Sequence, residues 1–378
     1  MRVLVWTRAF LPASETFIRA QSDALRGWDV SCAGLTAVES PLRRAQDLAL
    51  YGTGPLDSAR AALALRAGRS GRIVRLLAEL RPDVVHAHFA SAAYPLLRAV
   101  ERARVPLIVT VHGHDVTAAL SGGSALGRWL RKRRVRAVLR RADQVVAVSS
   151  FIAARAIEAG APAERVTVRY IGTDVEVPLA GDDEERDVIF VGRLVEKKGV
   201  GDLIDALAVL ADRGIDVSAT VVGDGPMRAT LEKRVREQGL RVEFVGSRRP
   251  AEVRDLLARS RMFVGPSKTA PNGDAEGFGM VFIEAAAAGL PVIAYRHGGV
   301  VEAVADERTG LLAPEGDIEQ LAGRIARLLD DDELCARMGA AGRMRARSEF
   351  DLMRNTAALA ELYASFTRDG HGRVAGAR

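Results

Sequence analysis

The sequence predicts an α/β protein made of two successive series of buried parallel strands and helices. Three observations carry this. Short unbroken apolar runs recur, among them Val3-Leu4-Val5-Trp6, Pro106–Val111 and Asp187–Gly192, and such runs mark strands covered on both faces. Stretches long enough for crossover helices separate them. The alternation breaks once, over 176–187, where Pro178, Gly181 and four acidic residues, Asp182–Glu185, read as an interdomain linker.

The chain's 378 residues suit two domains of ordinary size. A composition of 48% hydrophobic and 27% charged residues leaves ample core for both. The net charge of +6 fits attraction to phosphates, acidic glycans or an anionic membrane surface. Aromatics are too sparse for base stacking and no nucleic-acid motif appears, so nucleic acid is not an expected partner. Cys32 and Cys335 stand far apart and form neither a disulfide framework nor a zinc motif. No apolar run reaches the length of a membrane span. Arg8, Pro12 and Glu15 interrupt the apolar start too early for a signal peptide. A cytoplasmic protein is expected.

The first domain is expected over 1–175. Its first strand, near Val3–Trp6, leads into the loop Arg8–Thr16. Ser14 is placed to cap a helix starting near Thr16, with Phe17 and Ile18 turned inward. The loop lies at the C-terminal end of a strand, where open α/β sheets bind ligands. Ser14, Glu15 and Thr16 are therefore candidates for ligand contact; a displaced capping box is the plain structural alternative. Strands follow over Asp29–Ala33, Asp83–His88, Pro106–Val111, Gln144–Ser149 and Val166–Ile171, with a helix over 59–80 interrupted near Gly68–Gly71. The second domain, 188–350, opens with the strand Asp187–Gly192. Further strands are expected near Asp216–Val222, Val242–Val245, Met262–Val264 and Pro291–Ala294. A last helix over 351–367 is expected to return to the first domain, and 368–378 reads as a frayed polar tail.

The richest stretch is Asn272–Gly289. A polar, Gly-rich loop turns into an apolar helical run that ends at Gly289, with Pro291 as a stop. Glu276 sits at the mouth of that run. Glu284 lies eight residues on, about 12 Å along the axis if every step is helical. A carboxylate in Phe282-Ile283-Glu284-Ala285-Ala286 needs a partner, because burying it alone is costly. Sugar hydroxyls are suitable partners. Gly277 and Gly279, beside Phe278 and Met280, let backbone approach a ligand, and free N–H groups at a helix start attract phosphate. The stretch therefore suits a ligand with a hydroxylated group at each end and a pyrophosphate between, which is the form of a nucleotide diphosphate sugar. The alternative is a buried helix whose Glu284 pairs with an arginine.

Other strand ends add candidates. Arg193 and Lys198 lie in a strand-to-helix turn, a phosphate-handling layout, with Lys197 the weaker by register. Val222-Gly223-Asp224-Gly225-Pro226 is a second such turn, and lacks the third Gly of a dinucleotide fingerprint. Gly265-Pro266-Ser267 closes another strand. His112, His114 and Asp115 cluster past a strand end, which favours a functional role over a lone structural histidine. His86-x-His88 resembles a metal pair without further ligands and reads as strand-end residues in reach of an acceptor. Arg128–Arg141 is intensely basic, with Trp129, Leu130, Val135, Val138 and Leu139 at near-helical spacing. It reads first as a surface helix with its apolar stripe on the sheet, and second as a contact with anionic lipid.

Glu276-x7-Glu284 with Gly-Phe-Gly between resembles the donor-site signature of the retaining GT-B glycosyltransferases of glycosyltransferase family 4. The loop Phe10–Ile18, with Ser-Glu-Thr-Phe, resembles a subgroup that builds bacterial exopolysaccharides. The resemblance covers most of the chain and is stronger in the second domain. It implies a GT-B fold: two Rossmann-like domains with parallel sheets facing each other across a cleft. It implies transfer of a sugar, with retention, from a nucleotide diphosphate sugar, UDP-linked before GDP-linked, to a hydroxyl of a glycan, lipid-linked or small-molecule acceptor. On the same resemblance Arg193 and Lys198 neutralise the leaving diphosphate, Glu276 holds the transferred sugar and Glu284 the ribose. His112 contacts the sugar, Gly223 and Gly225 lie near the donor, Ser247 lies near the base, and Ser14, Glu15, Thr16, His114 and Asp115 lie on the acceptor side. No Asp-x-Asp motif stands among these candidate stretches, so no cofactor or essential metal is expected beyond the co-substrate. Three rivals remain: a nucleotide-sugar epimerase of GT-B architecture, a dinucleotide-dependent oxidoreductase, and a non-catalytic membrane-associated scaffold.

Overall fold

A computed structural model describes residues 1–12, 15–117, 124–177 and 186–368. The chain divides into two compact units, Met1–Gly172 with Leu352–Arg378, and Thr173–Asp351. Ser14, most of the expected linker (178–185) and nearly all of the expected tail (369–378) lie outside the described residues.

The first unit runs β1 (Arg2–Ala9), α1 (Thr16–Ala24), β2 (Asp29–Thr36), β3 (Leu48–Tyr51), α2 (Pro55–Ala67), α3 (Gly71–Leu80), β4 (Val84–His88), α4 (Ala90–Ala93), α5 (Leu97–Ala103), β5 (Leu107–Val111), α6 (Ala125–Arg141), β6 (Gln144–Ala147), α7 (Ser150–Glu158) and β7 (Val166–Val168). Its sheet is parallel, with order β3-β2-β1-β4-β5-β6-β7. The second unit runs β8 (Arg186–Val191), α8 (Val200–Asp212), β9 (Ala219–Val222), α9 (Arg228–Glu237), β10 (Val242–Gly246), α10 (Pro250–Ala258), β11 (Ser260–Gly265), α11 (Met280–Ala287), β12 (Val292–Tyr295), α12 (Val300–Ala303), β13 (Gly310–Ala313), α13 (Ile318–Asp330) and α14 (Asp332–Glu349). Its sheet is also parallel, with order β10-β9-β8-β11-β12-β13. Both units are Rossmann-like, as the sequence predicts. The final helix, α15 (Leu352–Arg368), belongs to the first unit.

Strand burial explains the apolar runs. β4 and β5 are buried at every position, as strands covered on both faces must be. Side chains alternate across a strand, so Val84, His86 and His88 share one face of β4. The register pairs His86 with Ile108 and His88 with Thr110, which puts His112 on that same face one step beyond β5. This face packs Val3, Val5, Val84 and Ile108 against Ile18 of α1 and Leu359 and Tyr363 of α15.

The sequence reading misses the four-residue strands β3 and β13, which are too short to show a period. β8 opens at Arg186, inside the stretch expected as linker. The N-cap of α1 is Glu15, which makes no side-chain capping bond. α6 forms where the basic stretch predicts it. Val135, Val138 and Leu139 are buried as expected, but Trp129 is 53% exposed and does not join the stripe.

Candidate active site

In each sheet the strand order reverses beside the first strand of the unit, between β1 and β4 and between β8 and β11. Connections leave in opposite directions there, which opens a crevice at the carboxyl ends of the strands. The sequence candidates collect at these ends.

In the second unit, β8 leads through Arg193 to a short 3₁₀ turn, Glu196–Lys198, before α8. Lys198 Nζ donates to Glu276 Oε2 at 2.5 Å, and Lys197 Nζ donates to Asp274 Oδ2 at 2.9 Å. Two consecutive lysines thus grip the loop after β11 at two carboxylates. Lys197, read as the weaker candidate, is as firmly engaged as Lys198. The Arg193 side chain is exposed and has no ion pair among the described residues.

Burial pushes the Glu276 carboxyl up, but the charges of Lys198 and Lys197 and the bond from Lys198 outweigh it. The group is held below the ordinary carboxylate range. Glu284 goes the other way: burial raises it and the charge of Arg254 offsets that only in part. The carboxylate of Glu284 has no hydrogen-bond partner among the described residues. Its alternative reading as one half of an arginine pair therefore comes down to Arg254 at longer range.

The helix does not begin at Glu276. α11 starts at Met280, and its N-cap Gly279 has φ +86°, a left-handed conformation that favours glycine. The 12 Å helical separation of Glu276 and Glu284 therefore does not hold, because the residues between Glu276 and Met280 form a turn. No side chain caps α11; the Phe282 N–H turns back to the Gly279 carbonyl at 3.0 Å, and the N–H groups of Met280 and Val281 are those that face an anion at the helix start. Phe278 is buried with its ring edge-on to Phe350, 5.4 Å between centroids. Its side chain is core, which removes it as a side-chain contact to a donor.

Gly223 and Gly225 also change role. A Cβ on Gly223 would stand 1.9 Å from the Gly192 carbonyl oxygen, and one on Gly225 2.5 Å from that of Leu194. These glycines let the turn after β9 lie against the turn that carries Arg193, so the absence of a side chain there serves packing between the two turns. Ser247 is exposed just past β10.

Sequence reasoning missed His297. It is 7% exposed, and neither ring nitrogen has a hydrogen-bond partner among the described residues. Glu315 Oε2 lies 4.0 Å from Nδ1. The turn it opens clamps the Glu276 backbone, with Gly299 N donating to Glu276 O at 2.9 Å. A strand ending in His-Gly-Gly was the available signal.

In the first unit, His112 is half-buried against Phe17 and Phe89, with ring centroids 5.0 and 4.6 Å away. His112 Nε2 and His88 Nδ1 are 3.0 Å apart. Burial, followed by the nearby His86, lowers the His112 pKa to about 3, so the ring is neutral. Asp115 is buried and accepts from the backbone N–H groups of Ala90, His112 and Gly113 at 2.8, 3.2 and 3.2 Å. It holds the loop that carries His112, which corrects its reading as an acceptor contact. His114 and Thr16 are exposed. Glu15 is half-buried, its Oε2 has no hydrogen-bond partner among the described residues, and burial pushes its carboxyl up to about 7. His86 is core, bonded to Thr110 and Tyr363, and is not in reach of an acceptor.

Residues 176–345 match the family profile described as glycosyl transferases group 1, and residues 15–177 match that of glycosyltransferase family 4. The GDP-mannose-dependent alpha-(1-6)-phosphatidylinositol monomannoside mannosyltransferase of Mycobacterium tuberculosis is 33% identical over 72% of this chain and 73% of its own length. The chain belongs to glycosyltransferase family 4. A second relative is the Escherichia coli protein named as the colanic acid biosynthesis glycosyltransferase WcaL. It is 31% identical over 67% of this chain, and the match spans 64% of its length. Among solved structures, Anabaena Alr3699/HepE in complex with UDP superposes with a TM-score of 0.79 at 24% identity. That match covers 97% of this chain and all of the other. The glycosyltransferase therefore has the GT-B architecture. The relatives named are transferases, so the epimerase, oxidoreductase and scaffold readings are not favoured.

Proposed function

We propose that this glycosyltransferase moves a sugar from a nucleotide diphosphate sugar to an acceptor hydroxyl with retention of configuration. The observation that carries the reading is the Lys198–Glu276 pair beside the uncapped start of α11. It sets a cation, a carboxylate and open backbone N–H groups at one place, as a sugar attached to a diphosphate requires. Glu276, held ionised, accepts from sugar hydroxyls. Lys198, Arg193 and the N–H groups at the start of α11 take up the charge that grows on the diphosphate. Glu284 accepts from the ribose, and Ser247 lies on the base side. In the first unit His112 meets the substrate as a neutral ring.

In the step itself, the bond from the anomeric carbon to the diphosphate oxygen breaks. The acceptor oxygen bonds to that carbon on the face the diphosphate leaves. The acceptor's proton passes to the departing diphosphate, so no protein base and no metal is needed. The donor is a UDP-sugar before a GDP-sugar: HepE binds UDP and UDP-glucose, while the mycobacterial relative is named for GDP-mannose. The acceptor is a glycan or a lipid-linked glycan, with Glu15, Thr16 and His114 on its side. α6 holds the protein at an anionic membrane surface where such an acceptor resides.

The test is nucleotide release from a panel of UDP- and GDP-sugars, without acceptor and then with membrane extract. One donor should turn over, faster with extract. Glu276→Ala should slow it by roughly a hundredfold or more. A Glu276→Ala variant as active as the parent would overturn the assignment.

A further inference from the structure

We infer that His297 is a positioning residue of the donor site: it takes up a proton from solvent as the diphosphate arrives and, as an imidazolium, bonds to Glu315. Donor binding and proton uptake are then one event. The inference rests on the reading of Lys198 and the start of α11 as the diphosphate site.

His297 lies just past β12, in a turn built against the loop that carries Glu276. Gly299 N donates to Glu276 O at 2.9 Å. A Cβ on Gly298 would stand 2.5 Å from that carbonyl oxygen, and one on Gly299 2.0 Å from that of Gly277. The backbone of the turn is thus locked in place, while the ring it carries is not engaged. The His297 side chain is 3% exposed, and Nδ1 and Nε2 are both buried without a hydrogen-bond partner among the described residues. His86 differs, since both of its ring nitrogens are bonded. A neutral imidazole has one donor and one acceptor, and leaving both unmet in the interior is destabilising. The nearby acceptor is Glu315 Oε2, 4.0 Å from Nδ1. Thr269 N and Oγ1 donate to Glu315 at 2.6 and 3.2 Å, which ties this carboxylate to the loop after β11. A closure of about 1 Å brings it to hydrogen-bond distance of the ring.

The charges that act on the ring come from three other segments: Glu315 from beyond β13, Glu276 from the loop after β11, and Lys197 and Lys198 from the turn after β8. On its own turn, Arg296 is exposed and ion-paired with Asp306. Burial lowers the His297 pKa, the two carboxylates raise it and the two lysines lower it, with the net result below the ordinary histidine value. With two charges of each sign near balance, burial decides and the ring is neutral. A diphosphate upsets this balance. It brings negative charge to Lys198, the cation that offsets Glu276, and the field at the ring turns negative. Protonation is then favoured. An imidazolium has two donors and no acceptor, so Nδ1–H meets the Glu315 carboxylate in a charge-assisted bond. That bond joins the turn clamping Glu276 to the loop after β11 through Thr269, at the moment the sugar has to be held still.

NMR of histidine-labelled protein follows the titration of His297, assigned among the six histidines from the signal lost in His297→Gln. The free wild type should titrate below the usual histidine value of about 6.5. With UDP-glucose or GDP-mannose bound, the same ring should titrate roughly one pH unit higher. Linkage makes that rise visible in affinity. For one unit, binding should be about tenfold tighter well below the titration range than well above it. Calorimetry in two buffers of different ionisation enthalpy counts the protons taken up. Glutamine keeps an N–H donor but does not titrate, so His297→Gln should bind without this uptake and lose its pH dependence. Glu15 also titrates near pH 7 and is present in both proteins, so the difference between them isolates His297. Glu315→Gln should lower the titration of the free ring and abolish the rise on binding. A donor that binds and leaves His297 unmoved, or equal proton uptake in wild type and His297→Gln, overturns the inference alone. Should neither nucleotide sugar bind, the diphosphate reading fails and the inference falls with it.

Discussion

Lys197 and Lys198 show what a residue type establishes and what only a structure adds. Lysines after the first strand of an α/β unit announce a phosphate site, yet in this transferase each is tied to a carboxylate, Asp274 and Glu276. Both cations are thus already held in place and partly neutralised. The histidines behave differently, because the strand face that carries them is dry. Burial lowers the His86 pKa to about 3, far below the value of about 6.5 for a histidine in an unfolded chain. Between those values the unfolded chain binds a proton that the folded one refuses. The stability that His86 contributes is therefore complete above about pH 6.5 and drains away as the pH falls toward 3. From pH 6.5 to 5.0 this one residue should account for about 1.5 kcal/mol of lost stability. Urea unfolding of wild type and His86→Gln at the two pH values checks it. Glutamine still bonds to Tyr363 or Thr110 but does not titrate, so the acid-induced loss should shrink by about that amount. An equal loss in both proteins would mean His86 titrates normally.

At the scale of elements, the sequence was most legible where period and length agree. The interruption near Gly68 falls where α2 ends, at a left-handed Gly68, and α3 restarts with Ser70 as its cap. Legibility failed where a turn replaces a helix. Nothing in the spacing of Glu276 and Glu284 reveals that the chain turns through Gly279 before α11 begins, because that depends on one positive φ. It also failed for Phe278, whose ring finds its partner 72 residues on, at Phe350. α6 lies between these cases. Its basic character was plain, but the exposed face was not. Leu126, Trp129, Arg133, Arg136 and Arg140 are all exposed, and their spacing sets them along one side. Apolar tips ahead of a row of arginines suit a lipid interface. Flotation should be strong with vesicles containing phosphatidylglycerol and weak with phosphatidylcholine alone. Each arginine near such a surface contributes about 1 kcal/mol, so Arg133→Gln with Arg140→Gln should weaken binding by about thirtyfold. Equal flotation with both vesicle types would remove the electrostatic contact.

At the scale of the molecule, the two alternating series and the break between them were visible in the sequence, because parallel sheets demand long apolar runs and crossover helices. The last helix was expected to return to the first domain, but which of its residues would be buried there was not visible from periodicity. In the structure, its Thr356, Leu359 and Tyr363 are buried in the first unit, and Tyr363 bonds to His86. The first unit is therefore made of two pieces of chain separated by the whole of the second. Removing a buried Leu or Tyr side chain costs about 2–5 kcal/mol each, and a domain is stable by only about 5–15 kcal/mol in all. A chain cut after Asp351 should accordingly lose the folded first unit, exposing Val3, Val5 and Ile108, while the second unit keeps its complete sheet and core. Hydrogen exchange followed by mass spectrometry separates the two. In the truncated chain, amides of β1, β4 and β5 should exchange within seconds, and those of β8, β9 and β11 should stay protected as in the full chain. Protection of β4 and β5 in the absence of α15 would show that the helix is an ornament on a sheet that folds without it. Loss of protection in β8 as well would show that the second unit does not fold on its own.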